Sequence, residues 1–162
     1  MSPSFHLVPL AGFACLMAAA AVEDLRRLVI PNVLVLALGV LWPLQVAAAP
    51  AMSLGSCAGA VLCAAAVFAA GTLLFSRGLI GGGDVKLLTA AALWAGPGLT
   101  PALLIATAFL GGVLTLALLS PLVLRAVFAP AEVVGAVRRM PVPYGAAIAG
   151  AALIVTIPPN LG

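Results

Sequence analysis

Long apolar runs with only brief interruptions are the feature that most constrains how this chain can fold. Hydrophobic residues occupy 65% of the 162 positions, and charged residues occupy only 7%. Ordinary soluble domains are roughly 25% charged, and a chain of this size could not hide so much apolar surface from water. The sequence therefore predicts an all-α integral membrane protein that is surrounded by a lipid bilayer.

Six segments are long and apolar enough, or nearly so, to cross a bilayer, which takes about 20 residues. They cover residues 3–22, 32–48, 52–75, 83–96, 100–124 and 143–158. The fourth is short, because a helix rises about 1.5 Å per residue and the hydrocarbon core is about 30 Å thick. We therefore predict about six transmembrane helices with a short or broken fourth span. We expect residues 1–162 to form a single membrane-embedded domain without a soluble cytoplasmic insertion.

The charged side chains form three clusters, each of which lies between two predicted spans. The clusters fall within residues 23–27, 77–86 and 125–139. A six-span arrangement puts all three on one side of the membrane, and the positive-inside rule makes that side cytoplasmic. Both termini are then periplasmic, and Trp42 and Trp94 lie near the outer interface, as in an aromatic belt. Orientation in the bilayer thus explains the net charge of +3, and we expect no nucleic-acid partner.

Asp84 stands in the stretch "GGGDVKLL", between two apolar runs. An acid at the edge of a membrane is a candidate functional residue, and a partner for it has to be found. Asp24 lies on the same predicted side, so the two aspartates can meet although they are far apart in the chain. Glu23 could take the place of Asp24, but successive helical residues point about 100° apart, so only one of them faces Asp84. Two adjacent aspartates share one proton, and such a pair can hydrolyse a peptide bond.

Structural interpretations of these acids stay open on the residues alone. Asp84 could cap the helix that it begins, and Asp24 could pair with Arg26 or Arg27 at the membrane interface. The glycines before Asp84 lack the GxxxxGK[ST] pattern of a phosphate loop, so we expect no nucleotide site.

The cysteines carry no metal signature. Cys15, Cys57 and Cys63 form no CxxC pair, whereas a zinc ribbon needs paired cysteines at short spacing. We expect no metal and no other cofactor, and we interpret the three cysteines as small buried apolar residues.

Three stretches, in order along the chain, match motifs of one known family. "DLRRLVIPN" (24–32) has an aspartate, basic residues and then Ile-Pro-Asn before the second span. "GGGDVKLL" (81–88) contains a GxGD motif, and "VPYGAAIAG" (142–150) opens the last span with Pro-Tyr-Gly, where the family has Pro-Phe-Gly. Together they resemble the type IV prepilin peptidase family of membrane aspartic proteases.

The resemblance implies roles for individual residues. Asp24 and Asp84 look like the two catalytic aspartates, at the cytoplasmic face of a bacterial inner membrane. The supporting motif residues that it implies are Gly81, Gly83, Lys86, Pro31, Asn32, Pro143, Tyr144 and Gly145. The implied activity is cleavage of the leader peptide from prepilins and pseudopilins. The implied partners are these precursors, the lipid bilayer and the pilus-assembly machinery.

The sequence also departs from the longer members of that family. It lacks their cytoplasmic insertion with two CxxC pairs, so it resembles the short branch that serves tight-adherence (Flp-type) pili, and we expect no N-methyltransferase activity. Two other function classes stay open. One is a small transporter or channel subunit, since broken helices with an acid near a cavity also bind ions. The other is a non-catalytic scaffold for pilus assembly.

Overall fold

The structure, a computed structural model, describes residues 7–48, 53–126 and 142–157. Those residues form five α-helices and no strand. The helices are α1 (Leu7–Arg27), α2 (Asn32–Ala48), α3 (Leu54–Ser76), α4 (Gly82–Ala126) and α5 (Tyr144–Thr156). The prediction of an all-α protein is confirmed for this part of the chain.

Three helical stretches are long and apolar enough to cross a membrane, namely Leu7–Arg27, Leu54–Ser76 and Gly82–Ser120. Helix α2 has 17 residues and α5 has 13, so they rise only about 26 Å and about 20 Å, less than a hydrocarbon core of about 30 Å. The described residues therefore indicate a membrane protein with three helices of spanning length, not the six that we predicted. The two termini, for which we predicted a periplasmic position, lie outside the described residues.

Helix α4 replaces the predicted fourth and fifth spans by one element with a break. Gly96 has φ 65° and ψ 178°, which is not helical, and glycine adopts a positive φ without strain. Pro97 follows, and proline suits the first turn of a helix because its missing N–H has no partner there anyway. The Thr100 hydroxyl donates to the Gly96 carbonyl oxygen at 2.7 Å, so the helix resumes without the loop that we expected. We call residues 82–95 the first arm of α4 and residues 97–126 its second arm.

Helix α1 runs past the predicted end of the first span at Val22 and ends at Arg27. Glu23 and Arg27, one turn apart, form an ion pair at 3.3 Å, and basic residues suit the negative end of the helix dipole. Leu28 then has φ 54°, a left-handed conformation that often ends a helix but strains a side chain of this size. Asp24 therefore lies on a helix, not in the connection where we predicted it.

The first arm of α4 and helix α5 supply most of the small buried side chains at the centre of the bundle. These are alanines at positions 90, 91, 92, 95, 147, 149, 151 and 152. Helices in a bilayer associate through close packing, since lipid is as apolar as leucine, and small side chains let their backbones approach. Helix α5 packs on α1 and α4, α3 packs on α4, and α2 packs on α1 and α4.

Trp94 links three helices near the end of the first arm. Its ring stacks on Phe13 of α1 with centroids 4.5 Å apart, and its Nε1 donates to the Leu38 carbonyl oxygen of α2 at 3.0 Å. Only 9% of Trp94 is exposed, so the prediction that it belongs to an aromatic belt is wrong. A buried indole N–H needs an acceptor, and a neighbouring helix provides it here.

The interpretation of the cysteines as buried residues is also wrong. Cys15 is exposed, and Cys57 and Cys63 are partly exposed, all as free thiols. A small, weakly polar side chain is compatible with lipid as well as with a protein core.

Replacing Trp94 by Phe removes the indole N–H and keeps a ring that can stack on Phe13. We expect the free energy of unfolding in detergent to fall by about 1 kcal/mol, the net contribution of a typical hydrogen bond. The matched control is Trp42→Phe, because Trp42 is only half-buried and makes no side-chain hydrogen bond to the described residues. Thermal unfolding of the purified variants measures the difference, and equal losses in both would contradict the role of the Nε1 bond.

Candidate active site

A cavity of about 960 Å³ lies where the connection from α1 to α2 meets the starts of α4 and α5. The predicted site residues that line it are Asp24, Pro31, Asn32, Gly81, Gly83, Asp84, Lys86 and Tyr144. The other lining residues are Leu28, Val29, Ile30, Gly78, Leu79, Ile80, Gly82 and Val142. The structure therefore brings all three sequence stretches to one cavity.

Asp24 lies in the last turn of α1, and only 4% of it is exposed. Its Oδ2 accepts a hydrogen bond at 3.1 Å from the backbone N–H of Ala146, in the first turn of α5. The ion pair with Arg26 or Arg27 that we left open is absent from the described residues, where Arg27 pairs with Glu23 instead. The contacts of Asp24 thus point into the bundle, towards α5 and the cavity.

Asp84 is the third residue of α4 and is half-buried. Gly81, just before the helix, accepts the first helical hydrogen bond from the Val85 N–H at 3.1 Å, and its backbone lies close to the Asp84 carboxylate. The N-cap position is Gly81, so the alternative that Asp84 is the N-cap residue is wrong. Asp84 lines the same cavity as Asp24, and the two carboxylates repel each other there.

Glycine makes room for close contacts at two of the predicted positions. A Cβ on Gly81 would lie 2.8 Å from Asp84 Oδ2, and a Cβ on Gly145 would lie 2.9 Å from Asp24 Cγ. Real Cβ atoms do not approach other atoms so closely, because packing in protein interiors is limited by van der Waals contact. Each aspartate is therefore held against a backbone that has no side chain.

Ile30 is a buried residue that fills the space between the starts of α4 and α5. A Cβ on Gly83 would lie 3.3 Å from the Ile30 Cβ, and a Cβ on Gly145 would lie 2.7 Å from the Ile30 Cδ1. We did not predict a role for Ile30 or for the Ala146 N–H. Ile30 looks like any other apolar residue of this chain, and a backbone donor has no sequence signature.

The remaining predicted residues surround the two aspartates. The Lys86 ammonium donates to Asn32 Oδ1 at 3.0 Å and so joins the start of α4 to the start of α2. No ion pair links Lys86 to either aspartate in the described part of the chain. Pro143 is buried and precedes α5, and Gly145 contacts Asp24 without lining the cavity.

This arrangement provides two carboxylates at one open cavity that is large enough for a peptide and water. Two such groups can act as acid and base on the same substrate. Among the described residues, no group of three or more His, Cys, Asp and Glu side chains lies together as a metal site would need.

Comparison with known proteins gives one family. The model of the type IV leader peptidase family matches residues 11–116, more than half of the chain. No curated protein and no solved structure gives a significant match. The matched residues include Asp24 and Asp84 with the stretches around them. The chain belongs to the type IV leader peptidase family.

Proposed function

We propose that this chain is a membrane aspartic endopeptidase that removes the leader peptide from Flp-type prepilins and pseudopilins at the cytoplasmic face of a bacterial inner membrane. The observation that carries the proposal is the meeting of Asp24 and Asp84 at one cavity, from helices that are distant in the sequence. Membership of a leader peptidase family supports the same reaction class. No particular contact favours a transporter, a channel subunit or an inert scaffold.

In the proposed mechanism, Asp24 and Asp84 share one proton, because two carboxylates that repel each other in one cavity do not readily ionise together. The ionised carboxylate takes a proton from water while the water oxygen attacks the scissile carbonyl carbon. The protonated carboxyl donates its proton to the carbonyl oxygen, which gives a tetrahedral diol. One diol hydroxyl then returns a proton to the ionised carboxylate, the other carboxyl protonates the leaving nitrogen, and the C–N bond breaks.

The supporting residues have positioning roles in this proposal. The Ala146 N–H and Gly145 position Asp24 against α5. Gly81, which has no side chain, leaves the space that the Asp84 carboxylate occupies. The hydrogen bond between Lys86 and Asn32 links two sides of the cavity, the starts of α4 and α2. No cofactor takes part. Hydrolysis by two carboxylates needs only water as a second reactant.

We further propose that the chain belongs to the short, Flp-type branch of the family and that it forms a single domain. The chain has no CxxC pair, whereas the insertion of longer members carries two. That difference supports peptidase activity without N-methyltransferase activity. The pilus-assembly machinery is the expected neighbour of the enzyme, since processed subunits pass to it.

The proposed topology has six crossings with both termini periplasmic. Helix α2, the first arm of α4 and α5 would be short crossings, and the hydrophobic mismatch of a short helix has only a modest cost. The one-sided distribution of charges along the sequence supports this arrangement.

Asp24→Asn and Asp84→Asn each keep the size of the side chain and remove its ability to exchange a proton. We expect both variants to fold and to lose at least about a thousandfold of the cleavage rate, as is typical when one member of a catalytic unit is removed. The assay incubates the purified protein in detergent with an Flp-type prepilin and follows the size of the precursor on a gel.

The matched control for these variants is Glu23→Gln, one residue from Asp24. Glu23 faces Arg27 and not the cavity, so we expect cleavage to stay within a few-fold of the unmodified protein. Normal cleavage by both asparagine variants would refute the aspartic mechanism. If Glu23→Gln also lowers the cleavage rate a thousandfold, the assignment of Asp24, and not Glu23, as the partner of Asp84 is refuted.

Gly145→Ala places a methyl group where Asp24 Cγ and Ile30 Cδ1 lie within 3 Å. Asp24 has to move, and a displacement of about 1 Å at a catalytic group can cost roughly a hundredfold in rate. Gly150→Ala, on the same helix, is the matched control, since its Cβ makes only ordinary contact at 3.5 Å with Leu110. Equal cleavage rates of the two variants in the prepilin assay would contradict the close packing of Asp24 on α5.

Alkaline phosphatase fusions test the topology, because that reporter is active only in the periplasm. A fusion after Ala49 should be active and a fusion after Arg125 inactive, with green fluorescent protein giving the opposite pattern. The six-crossing arrangement places Ala49 on the periplasmic side and Arg125 on the cytoplasmic side. If both fusions report the same side, that arrangement is ruled out.

A further inference from the structure

Tyr144 is the only tyrosine of the chain, and it replaces the phenylalanine of the family motif Pro-Phe-Gly. It is the first residue of α5 and lines the cavity that holds the two aspartates. Tyrosine differs from phenylalanine by one hydroxyl group, which can donate a hydrogen bond. That hydroxyl makes no hydrogen bond to the described residues, and 39% of Tyr144 is exposed. Tyr144 therefore brings to the cavity wall a polar group that the described fold does not use.

The ring of Tyr144 packs against the second arm of α4. A Cβ on Gly111 would lie 2.7 Å from Cε1 and 3.1 Å from Cδ1 of that ring, so the contact depends on a residue without a side chain. The next two residues of α5 contact Asp24, since Gly145 packs against its Cγ and the Ala146 N–H donates to its Oδ2. The same turn of α5 thus carries the contacts of Asp24 and a ring whose position a neighbouring helix limits.

The backbone of a substrate needs hydrogen-bond donors in this cavity. A scissile peptide bond cannot stay in a regular helix, because water and both carboxyl groups have to reach it, so the flanking carbonyl groups lose their helical partners. An unpaired carbonyl group that leaves water costs free energy. Among the described polar side chains that line the cavity, Asp24 and Asp84 are the proposed acid and base, and Lys86 and Asn32 hydrogen-bond to each other. The remaining one is Tyr144.

We propose that the Tyr144 hydroxyl binds the substrate backbone by donating a hydrogen bond to a carbonyl oxygen that flanks the scissile bond. The inference rests on the proposed peptidase function and adds a residue that positions the substrate. A flanking carbonyl is not attacked, so its hydrogen bond is the same in the bound substrate and in the transition state. Such a contact lowers KM and leaves kcat unchanged.

Tyr144→Phe removes the hydroxyl and keeps the ring that packs on Gly111. We expect KM for a peptide with a prepilin leader and cleavage site to rise roughly fivefold and kcat to stay within about twofold, as for the loss of one hydrogen bond between uncharged groups. The matched control is Thr115→Val. It removes a hydroxyl that donates to the Gly111 carbonyl oxygen and does not line the cavity, so both constants should stay within about twofold.

A set of thioamide peptides separates a substrate contact from an effect on the fold. Each peptide has sulfur in place of one carbonyl oxygen that flanks the scissile bond, and sulfur accepts hydrogen bonds only weakly. For one of these peptides the rise in KM caused by Tyr144→Phe should shrink to less than about twofold, because the contact is already lost. The same rise with every peptide, as expected if the hydroxyl acts on a lipid headgroup or on the fold, would overturn the proposal. An unchanged KM for the all-oxygen peptide would overturn it as well.

Failure of the unmodified protein to cleave any of these peptides would refute the proposed function and not this contact. Binding of the peptides to the unmodified protein and to Tyr144→Phe then decides the inference without catalysis. An affinity that falls roughly fivefold for the all-oxygen peptide and less than about twofold for one thioamide peptide supports the contact. Equal ratios for all the peptides overturn it.

Discussion

The hydrogen bond from the Ala146 N–H to Asp24 Oδ2 is the contact on which the site depends. Asp24 lies in the last turn of the first helix and Ala146 in the first turn of the last described one, so a single bond at 3.1 Å joins distant parts of the chain. A carboxylate that is 4% exposed in an apolar bundle needs a donor, and backbone N–H groups in the first turn of a helix are available to acceptors from outside. Each group therefore satisfies the other, and the contact orients Asp24 towards Asp84.

Glycines, which have no side chain, let the helices come close enough for this geometry. Gly145 packs against Asp24, Gly81 packs against the carboxylate of Asp84, and Ile30 fills the space between Gly83 and Gly145. Apolar surface gives little reason for helices to associate in a bilayer, so such contacts and the few hydrogen bonds between helices determine the arrangement. The same physics leaves α2 and α3 apart, since each packs on α4.

Composition predicted the all-α membrane class, and three short motifs led to the residues that the structure brings around one cavity. Hydropathy could not tell which face of an apolar helix meets protein and which meets lipid, because both environments are apolar. That is why Trp94 proved buried and Cys15 exposed. The end of α1 was missed because Glu23 and Arg27 read as interface charges, although their ion pair extends the helix. The stretch "GPG" at Gly96 predicts a turn as readily as a kink, so the sequence alone does not distinguish a loop from the broken helix that the structure has.

The most direct test of the two aspartates as one hydrolytic unit is the affinity of a peptide that resembles the tetrahedral intermediate. A prepilin-like peptide with a secondary alcohol in place of the scissile carbonyl should bind the unmodified protein at least about a hundredfold more tightly than the matching amide peptide. The advantage should vanish in both Asp24→Asn and Asp84→Asn, because the alcohol is held by the pair and not by either residue alone. Equal affinities for the alcohol and the amide, or an advantage that survives either substitution, would contradict the account.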